Sequence, residues 1–206
     1  MVQAGHASGK GLRMRPEGRR RQRAARKPWL IASLCAAALG AGLHAQDGDA
    51  AKLAPYYPTP ETIVGQMLQL GGLRAGERVF DLGSGDGRIV IMAAQKFHAD
   101  AVGVEIDPDL CRQSLARITK LGLERSARIV HGDLLAQNYS SADLVTVYLL
   151  PDSINGKVQP LLDRQLKKGA RVVAHDFEFR AWTAEKVANI ADDGEGRSHT
   201  LYLYRK

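Results

Sequence analysis

Cysteine is scarce in this chain of 206 residues, which contains two, Cys35 and Cys111. Cys35 lies within an apolar N-terminal run. Cys111 falls on the apolar side of a predicted helix, so we interpret it as a core residue and not as a nucleophile. Two such cysteines exclude a disulfide framework. Cysteine, histidine and carboxylate residues nowhere show the short spacings of a zinc site, so the sequence predicts no metal.

Basic charge is equally scarce once the N-terminus is set aside. The net charge is +7, but residues 1–30 hold nine basic residues and one acidic residue. That segment therefore carries +8, and the rest of the chain carries −1. A fold that binds nucleic acid needs a basic surface for the phosphate backbone, and this one lacks the charge to form it. The composition therefore argues against a nucleic-acid partner.

The chain also lacks an apolar run of clear membrane-spanning length. The one candidate, residues 29–43, has about 15 residues against the ~20 that a bilayer requires. It follows the basic segment and ends at Leu-His-Ala, an imperfect signal-peptidase site. We therefore predict that residues 1–45 are a signal peptide or membrane-targeting leader, followed by a linker at 46–54. The alternatives are an uncleaved membrane anchor and an Arg-rich mitochondrial leader. If translation starts at Met14 instead of Met1, the apolar run is still present.

What the sequence does contain is a glycine loop, residues 81–87, between a strand and a helix. An apolar β-type run, 78–80, precedes the loop, and a helical run, 88–97, follows it. Such a loop directs backbone N–H groups and the positive end of a helix dipole at one point, which suits an anionic group of a cofactor. The glycines permit a tight turn, close approach of a ligand and close helix–strand packing. A purely structural glycine turn is the alternative.

The chemistry of the loop favours one class of cofactor. Its spacing is G-x-G-x-G, unlike the G-x-G-x-x-G of nicotinamide and flavin enzymes. The flanking Asp81 and Asp86 are poor neighbours for a pyrophosphate, but they suit the sulfonium and ammonium groups of S-adenosylmethionine (SAM). Residues 79–87 resemble the first motif of class I SAM-dependent methyltransferases. The loop residues that the resemblance implies as cofactor contacts are Asp81, Gly83, Ser84, Gly85 and Gly87.

The pattern beyond the loop predicts an α/β fold. Four further apolar strands are predicted at 101–106, 127–133, 142–151 and 170–177, with a closing hairpin at 186–190 and 199–204. Helices are predicted at about 60–70, 107–122 and 153–166. We therefore expect a Rossmann-like class I methyltransferase sheet over residues 55–206, mostly parallel with a closing antiparallel hairpin, and with helices on both faces.

Further candidate cofactor contacts follow three of these strands. Glu105 ends the second strand, 22 positions after Gly83, where an acidic residue of a doubly wound sheet accepts hydrogen bonds from the ribose. The resemblance implies that Asp133 holds the adenine amino group and that Leu134 packs near the base. Tyr148, at the end of the fourth strand, should reach the same crevice. The structural alternatives are an exposed carboxylate at Glu105 and a helix or turn cap at Asp133.

A proline-rich segment, residues 54–61, precedes the first predicted helix. Its prolines impose an extended course. We predict that the segment lies over the glycine loop and closes the cofactor cleft, and a stiff entry to a packing helix is the alternative. Thr59 either caps the helix or contacts the SAM carboxylate, and we favour the contact.

Motifs on both sides of the glycine loop narrow the choice of methyltransferase family. The segments that carry it are 56–60, 81–90, 103–105 and 169–173, with Phe177 and Trp182. Together they resemble the small mitochondrial protein-lysine methyltransferases that modify the adenine nucleotide translocase and the ATP synthase c-subunit, and their bacterial relatives. This resemblance implies SAM-dependent methylation of a protein lysine and membrane association. Residues 175–179, however, are more acidic than their counterparts in those proteins.

Catalysis needs no side-chain nucleophile, because methyl transfer mainly requires alignment of acceptor, methyl and sulfur. Tyr148 and Asp176, at strand ends, are the candidates to orient a target amine. A SAM-binding module without catalysis, a methyltransferase of small molecules and a nicotinamide oxidoreductase are the other interpretations. The leader predicts an exported or membrane-associated protein, periplasmic if bacterial, although SAM is made inside cells.

Overall fold

The computed structural model describes residues 53–206 and shows one seven-stranded sheet. The strands are β1 Arg78–Leu82, β2 Asp100–Glu105, β3 Ala127–His131, β4 Leu144–Val147, β5 Arg171–His175, β6 Lys186–Ile190 and β7 His199–Arg205. The α-helices are α1 Glu61–Leu70, α2 Arg88–Phe97, α3 Pro108–Lys120, α4 Pro151–Ser153 and α5 Gln159–Gln165. A 3₁₀ turn, Leu134–Ala136, follows β3, and a π-helical turn, Ile154–Val158, joins α4 to α5.

The strand order is β3-β2-β1-β4-β5-β7-β6. Strands β1 to β5 are parallel, and β7 runs antiparallel to both β5 and β6. The predicted fold class, a mostly parallel sheet with a closing hairpin, is therefore confirmed. The chain moves outward from β1 to β3 and returns to β4 on the other side of β1. Ligands of open α/β sheets bind at such a switch in direction, beyond the carboxyl ends of the strands.

Two apolar layers cover the sheet because successive strand residues point to opposite faces. In β1, Val79 packs with residues of α1, α2 and α3, whereas Phe80 and Leu82 pack with those of the π-helical turn and α5. The central strand β4 is buried along its whole length. Its sequence, apolar apart from Thr146, is the pattern expected of a parallel strand covered on both sides.

Some element boundaries differ from the sequence predictions. The helix expected at 153–166 begins at Pro151 and contains the π-helical turn. The fourth strand is shorter than the predicted 142–151, because Leu150 already precedes α4. Thr59 does not cap α1, whose N-cap is Pro60 without a side-chain hydrogen bond. Cys111 is buried, as predicted, and burial raises the pKa of its thiol to about 11.

The predicted leader, residues 1–45, and most of the predicted linker lie outside the described residues. Within residues 53–206, no helix is long and apolar enough to cross a membrane.

Candidate active site

The glycine loop connects β1 to α2 in the form that the sequence predicted. Gly83, Gly85 and Gly87 have φ values of 76°, 53° and 77°, a conformation that favours glycine. A Cβ at Gly85 would lie 2.7 Å from the Tyr56 ring, and one at Gly87 would lie 3.0 Å from Ser114 on α3. Gly85 therefore lets the N-terminal segment cross the loop, whereas Gly87 lets α3 pack against it.

Four of the loop's backbone N–H groups already have acceptors within the protein, which corrects one expectation. Gly83 N and Ser84 N donate to the Val104 carbonyl, at 2.9 and 3.0 Å. Gly87 N donates to the Ser84 carbonyl at 2.9 Å, and Gly85 N donates to Glu105. These N–H groups do not point as a set at an anionic group. The glycines of the loop instead offer backbone without side chains. Their hydrogen bonds to Val104 and Glu105 fix the loop against the end of β2.

Glu105 holds the loop to the end of β2. Its Oε2 accepts from Gly85 N at 2.7 Å, and its Oε1 accepts from Ile106 N and Asp107 N, both at 2.9 Å. The side chain is buried. Glu105 is thus not an exposed carboxylate at a strand end, because it organises three backbone donors on the wall of the cleft.

A cleft opens beyond the carboxyl ends of β1, β2 and β4. Its empty space is about 910 Å³, including the part open to solvent. The predicted cofactor contacts that line it are Thr59, Asp81, Gly83, Ser84, Gly85, Glu105, Asp133, Leu134 and Tyr148. Gly87 does not line it, since that residue faces α3. Leu53, Tyr56, Arg88 and Leu149 also form the wall, although none of them was among the predicted cofactor contacts.

The N-terminal segment, residues 53–59, forms one wall of this cleft. The Tyr56 ring lies on Gly85, so the segment crosses the glycine loop as predicted. Its position is fixed by two arginines: Arg88 Nη1 donates to the Thr59 carbonyl, and Arg197 Nη1 donates to the Tyr57 hydroxyl, both at 2.8 Å. We call residues 53–59 the strap.

Asp81 is a buried carboxyl group on the cleft wall. Its Oδ1 accepts a hydrogen bond from Thr146 Oγ1 at 2.8 Å. Burial raises the pKa of Asp81 to about 7, the Thr146 bond opposes this, and the nearby Glu105 and Asp86 add to it. A cation in the cleft would favour the ionised form of this group.

Asp86 does not share this environment, which corrects the expectation that it faces a cationic ligand. Its carboxylate pairs with Arg88 at 2.9 Å and with Arg117 at 2.7 Å. Burial raises the pKa of Asp86, but the hydrogen bond and charge of Arg88 and the charge of Arg117 outweigh it, and the pKa lies below its ordinary value. The charge is therefore already compensated, and Asp86 does not line the cleft.

Asp133 and Leu134 lie together where the chain leaves β3, and both line the cleft. Asp133 Oδ1 accepts from Leu135 N at 2.8 Å and caps the 3₁₀ turn, as the structural alternative proposed. Leu134 is buried, and its carbonyl accepts from the Tyr139 hydroxyl at 2.6 Å. The cap uses only one carboxylate oxygen of Asp133, and Asp133 also lines the cleft.

Of the two candidates to orient an acceptor, only Tyr148 lines the cleft. Burial and the neighbouring Asp176 raise the pKa of its hydroxyl, and its ring centroid lies 4.0 Å from that of His175. Asp176 instead turns toward His175 and His199, with its Oδ1 accepting from Thr200 N at 2.9 Å. These histidines were missed because they lie on different strands and form no short motif.

Comparison with known proteins identifies the family. A model of the ANTKMT methyltransferase domain matches residues 81–186, from the end of β1 to the start of β6. The chain belongs to this family. A protein-lysine N-methyltransferase of Saccharolobus islandicus (strain REY15A) is 43% identical over 151 residues, covering 73% of this chain and 92% of that protein. The human lysine N-methyltransferase named for the ATP synthase C-subunit is 34% identical over 150 residues.

The extent of these matches differs. The alignment with the human enzyme covers 73% of this chain but 60% of the human protein. A crystal structure titled as an RNA methyltransferase from Salinibacter ruber, in complex with S-adenosyl-L-homocysteine, superposes with a TM-score of 0.66 at 39% identity. It covers 72% of this chain and 93% of that one. Membership of the ANTKMT family confirms the predicted enzyme class, a methyltransferase with SAM as its methyl donor.

The residues of the cleft fit this methyl donor. Two buried carboxyl groups, Asp81 and Glu105, line the cleft, and groups of this kind suit a ligand that carries cationic groups and ribose hydroxyls. Leu134 and Leu149 supply apolar surface for a base. Ser84 also lines the cleft, and its Oγ is buried without a hydrogen-bond partner within residues 53–206.

Proposed function

We propose that this chain transfers the methyl group of SAM to the ε-amine of a lysine in a protein substrate. The observation that carries the proposal is the 43% identity to a protein-lysine N-methyltransferase across 92% of that protein's length. The aligned part includes a cleft whose chemistry fits the donor. Two other relatives, one named for the ATP synthase C-subunit and one for the adenine nucleotide translocase, are also lysine N-methyltransferases.

We assign the predicted cofactor contacts as follows. Bound SAM supplies an electrophilic methyl group on a sulfonium centre. Glu105 accepts hydrogen bonds from the ribose hydroxyls, and Asp133 accepts one from the adenine amino group while Leu134 packs against the ring. Asp81, the first residue of the loop, stabilises the cationic part of the donor. Together these contacts fix the direction of the methyl group, which is the main requirement of an in-line transfer.

Tyr148 is positioned to contact the acceptor. A lysine amine has a pKa near ~10.4 and must lose a proton before it can attack. A mostly buried cleft disfavours the charged ammonium form. The raised pKa of Tyr148 keeps its hydroxyl neutral, so it can hold the amine by a hydrogen bond without stabilising a positive charge.

RNA is the competing acceptor, because the Salinibacter relative is titled an RNA methyltransferase. The charge distribution favours protein. The N-terminal 30 residues carry +8, and the remaining chain, which includes the whole cleft, carries −1. A phosphate backbone would find no excess of cations around the cleft.

The deciding experiment offers both acceptors to the full-length enzyme. The enzyme is incubated with SAM labelled in its methyl group and with extracts of the native host, separated into membrane, soluble protein and RNA fractions. We expect label in protein and, by mass spectrometry, in methyllysine. The same extracts incubated with labelled SAM but without the added enzyme serve as the control for transfer by other enzymes. Label confined to RNA, or no label above that control, would refute the proposal.

We further propose that residues 1–45 direct the protein to export or to a membrane. The charge step and the short apolar run support this. The mature N-terminus should therefore lie near Gln46. Intact mass measurement of the protein from its native host tests this, and recovery of the full-length chain from the cytosol would contradict export.

Replacing Thr59 by valine should weaken SAM binding by about fivefold, the effect of losing roughly 1 kcal/mol of hydrogen bonding. Thr59 lines the cleft, and its hydroxyl lies 3.3 Å from His175 Nδ1. It caps no helix, so α1 should be unaffected. The measurement is the SAM-induced rise in Tm, with Thr59→Ser as the control that keeps the hydroxyl. If the SAM-induced rise in Tm is as large in Thr59→Val as in the wild type, Thr59 has a structural role and does not contact SAM.

A further inference from the structure

Three metal-ligand side chains from two neighbouring strands meet behind the Tyr148 wall of the cleft. His175 ends β5, Asp176 follows it, and His199 begins the antiparallel strand β7. His175 is fully buried, His199 is 6% exposed, and Asp176 is partly buried. We call these three residues the His–Asp–His cluster. The methyl donor's proposed contacts do not include them.

The ligand atoms of the cluster converge on one point. His175 Nε2 lies 2.9 Å from His199 Nδ1, and Asp176 Oδ2 lies 3.3 Å from His199 Nδ1 and 3.4 Å from His175 Nε2. The point equidistant from the three atoms, in their plane, is about 1.9 Å from each. An ion slightly out of that plane therefore lies about 2.0–2.2 Å from all three, which is the length of zinc–nitrogen and zinc–oxygen bonds.

The outer nitrogens of both rings have the partners that metal-bound histidines usually have. His199 Nε2 lies 3.2 Å from Asp193 Oδ2, and His175 Nδ1 lies 3.3 Å from Thr59 Oγ1. A ligating histidine typically donates its second N–H to a carboxylate or another oxygen, which fixes the tautomer and orients the ring. Donation to these two oxygens leaves the inner nitrogens free to bind an ion.

The charge around the cluster also suits a cation. Asp193 is paired with Arg197 at 3.0 Å, but within residues 53–206 no lysine or arginine forms an ion pair with Asp176. Asp176 also holds a φ of 59°, which non-glycine residues rarely adopt.

We propose that His175, Asp176 and His199 bind a divalent first-row transition-metal ion, with Zn²⁺ as the best match to two imidazoles and one carboxylate. Such an ion would link the ends of β5 and β7 and, through Thr59, would hold the strap beside the cleft. Three protein ligands leave one position for water. Sequence spacing gave no sign of this site, because His175 and His199 are 24 residues apart and meet only through the antiparallel pairing of β5 with β7.

The test measures metal binding and does not depend on the acceptor. Full-length protein is stripped with a chelator, dialysed into chelator-free buffer and titrated with Zn²⁺, and bound metal is counted by plasma mass spectrometry. We expect one Zn²⁺ per chain and a Zn²⁺-dependent rise in Tm, because an ion that binds only the folded state stabilises it. The His199→Ala variant should lose this ion. The control, His131→Ala, removes an exposed histidine whose ring contacts the Ile106 carbonyl and should keep it.

A second variant covers the case in which His199→Ala fails to fold. Asp193→Asn leaves all three ligands in place but removes the carboxylate behind His199, and it should weaken Zn²⁺ binding by about 10–100-fold, the usual effect of losing such a partner. The proposal is overturned if the wild-type protein binds no Zn²⁺, or if folded His199→Ala or Asp193→Asn binds it as tightly as the His131→Ala control. The two rings would then simply share a hydrogen bond.

Discussion

Replacing Glu105 by alanine should weaken SAM binding by about 5–150-fold, which corresponds to the 1–3 kcal/mol expected for losing a charge-assisted hydrogen-bonding group. Two losses combine in this variant. The ribose hydroxyls lose their proposed acceptor, and three backbone donors, on Gly85, Ile106 and Asp107, lose theirs. The glycine loop is then no longer held against the end of β2, so the cleft is less well ordered before the donor arrives.

Titration calorimetry with SAM measures this effect on protein whose fold is first checked by circular dichroism. Glu124→Ala is the matched control, because it removes an exposed carboxylate from the α3–β3 connection and should leave affinity unchanged. A folded Glu105→Ala protein that binds SAM as tightly as this control would remove Glu105 from the proposed cofactor site.

The sheet could be predicted because its signals are local. Each central strand is a short apolar run that the next helix covers, and α2 begins and ends where its sequence pattern places it, at Arg88 and Phe97. The glycine loop is equally local, since positive φ values at alternate positions require glycine. Position at a strand end sufficed to bring Glu105, Asp133 and Tyr148 to one cleft, because the carboxyl ends of parallel strands meet at one edge of the sheet.

What the sequence could not show depends on distant partners. Asp86 looked available to a cationic ligand, but its neighbour Arg88 and the distant Arg117, 31 residues away on α3, neutralise it. The loop's N–H groups looked free, but Val104 and Glu105 of the neighbouring strand occupy three of them. The His–Asp–His cluster likewise forms only when β7 pairs with β5. Pairings of this kind are set by tertiary packing, which the spacing of residues along the chain does not encode.

Asp81→Asn should make the free enzyme more stable above pH 7. The pKa of Asp81 rises from an ordinary 3.8 to about 7 on folding, mainly because the group is buried. The folded state therefore holds this proton more tightly than the unfolded state, and stability falls as pH rises from about 4 to 7. A shift of about 3 pKa units corresponds to at most about 4 kcal/mol. Urea unfolding at pH 4 and pH 8 should show the gain for asparagine at pH 8 and little gain at pH 4.

Loss of the Asp81 proton should be coupled to binding of the methyl donor. Cationic groups of SAM favour ionised Asp81, so binding below pH 7 must release its proton, and affinity should fall by about tenfold for each pH unit below 7 until the pKa of the complex is reached. Between pH 5.5 and 7 the donor's α-amino group stays protonated, because its pKa is near ~8, and it adds no dependence of its own. The same titration of the Asp81→Asn variant measures the pH dependence that histidines contribute to SAM affinity. This contribution is subtracted from the pH dependence of the wild type. S-adenosylhomocysteine lacks the sulfonium charge and should show a weaker dependence than SAM. Equal slopes for wild type and Asp81→Asn would mean that Asp81 does not face the cationic part of the donor.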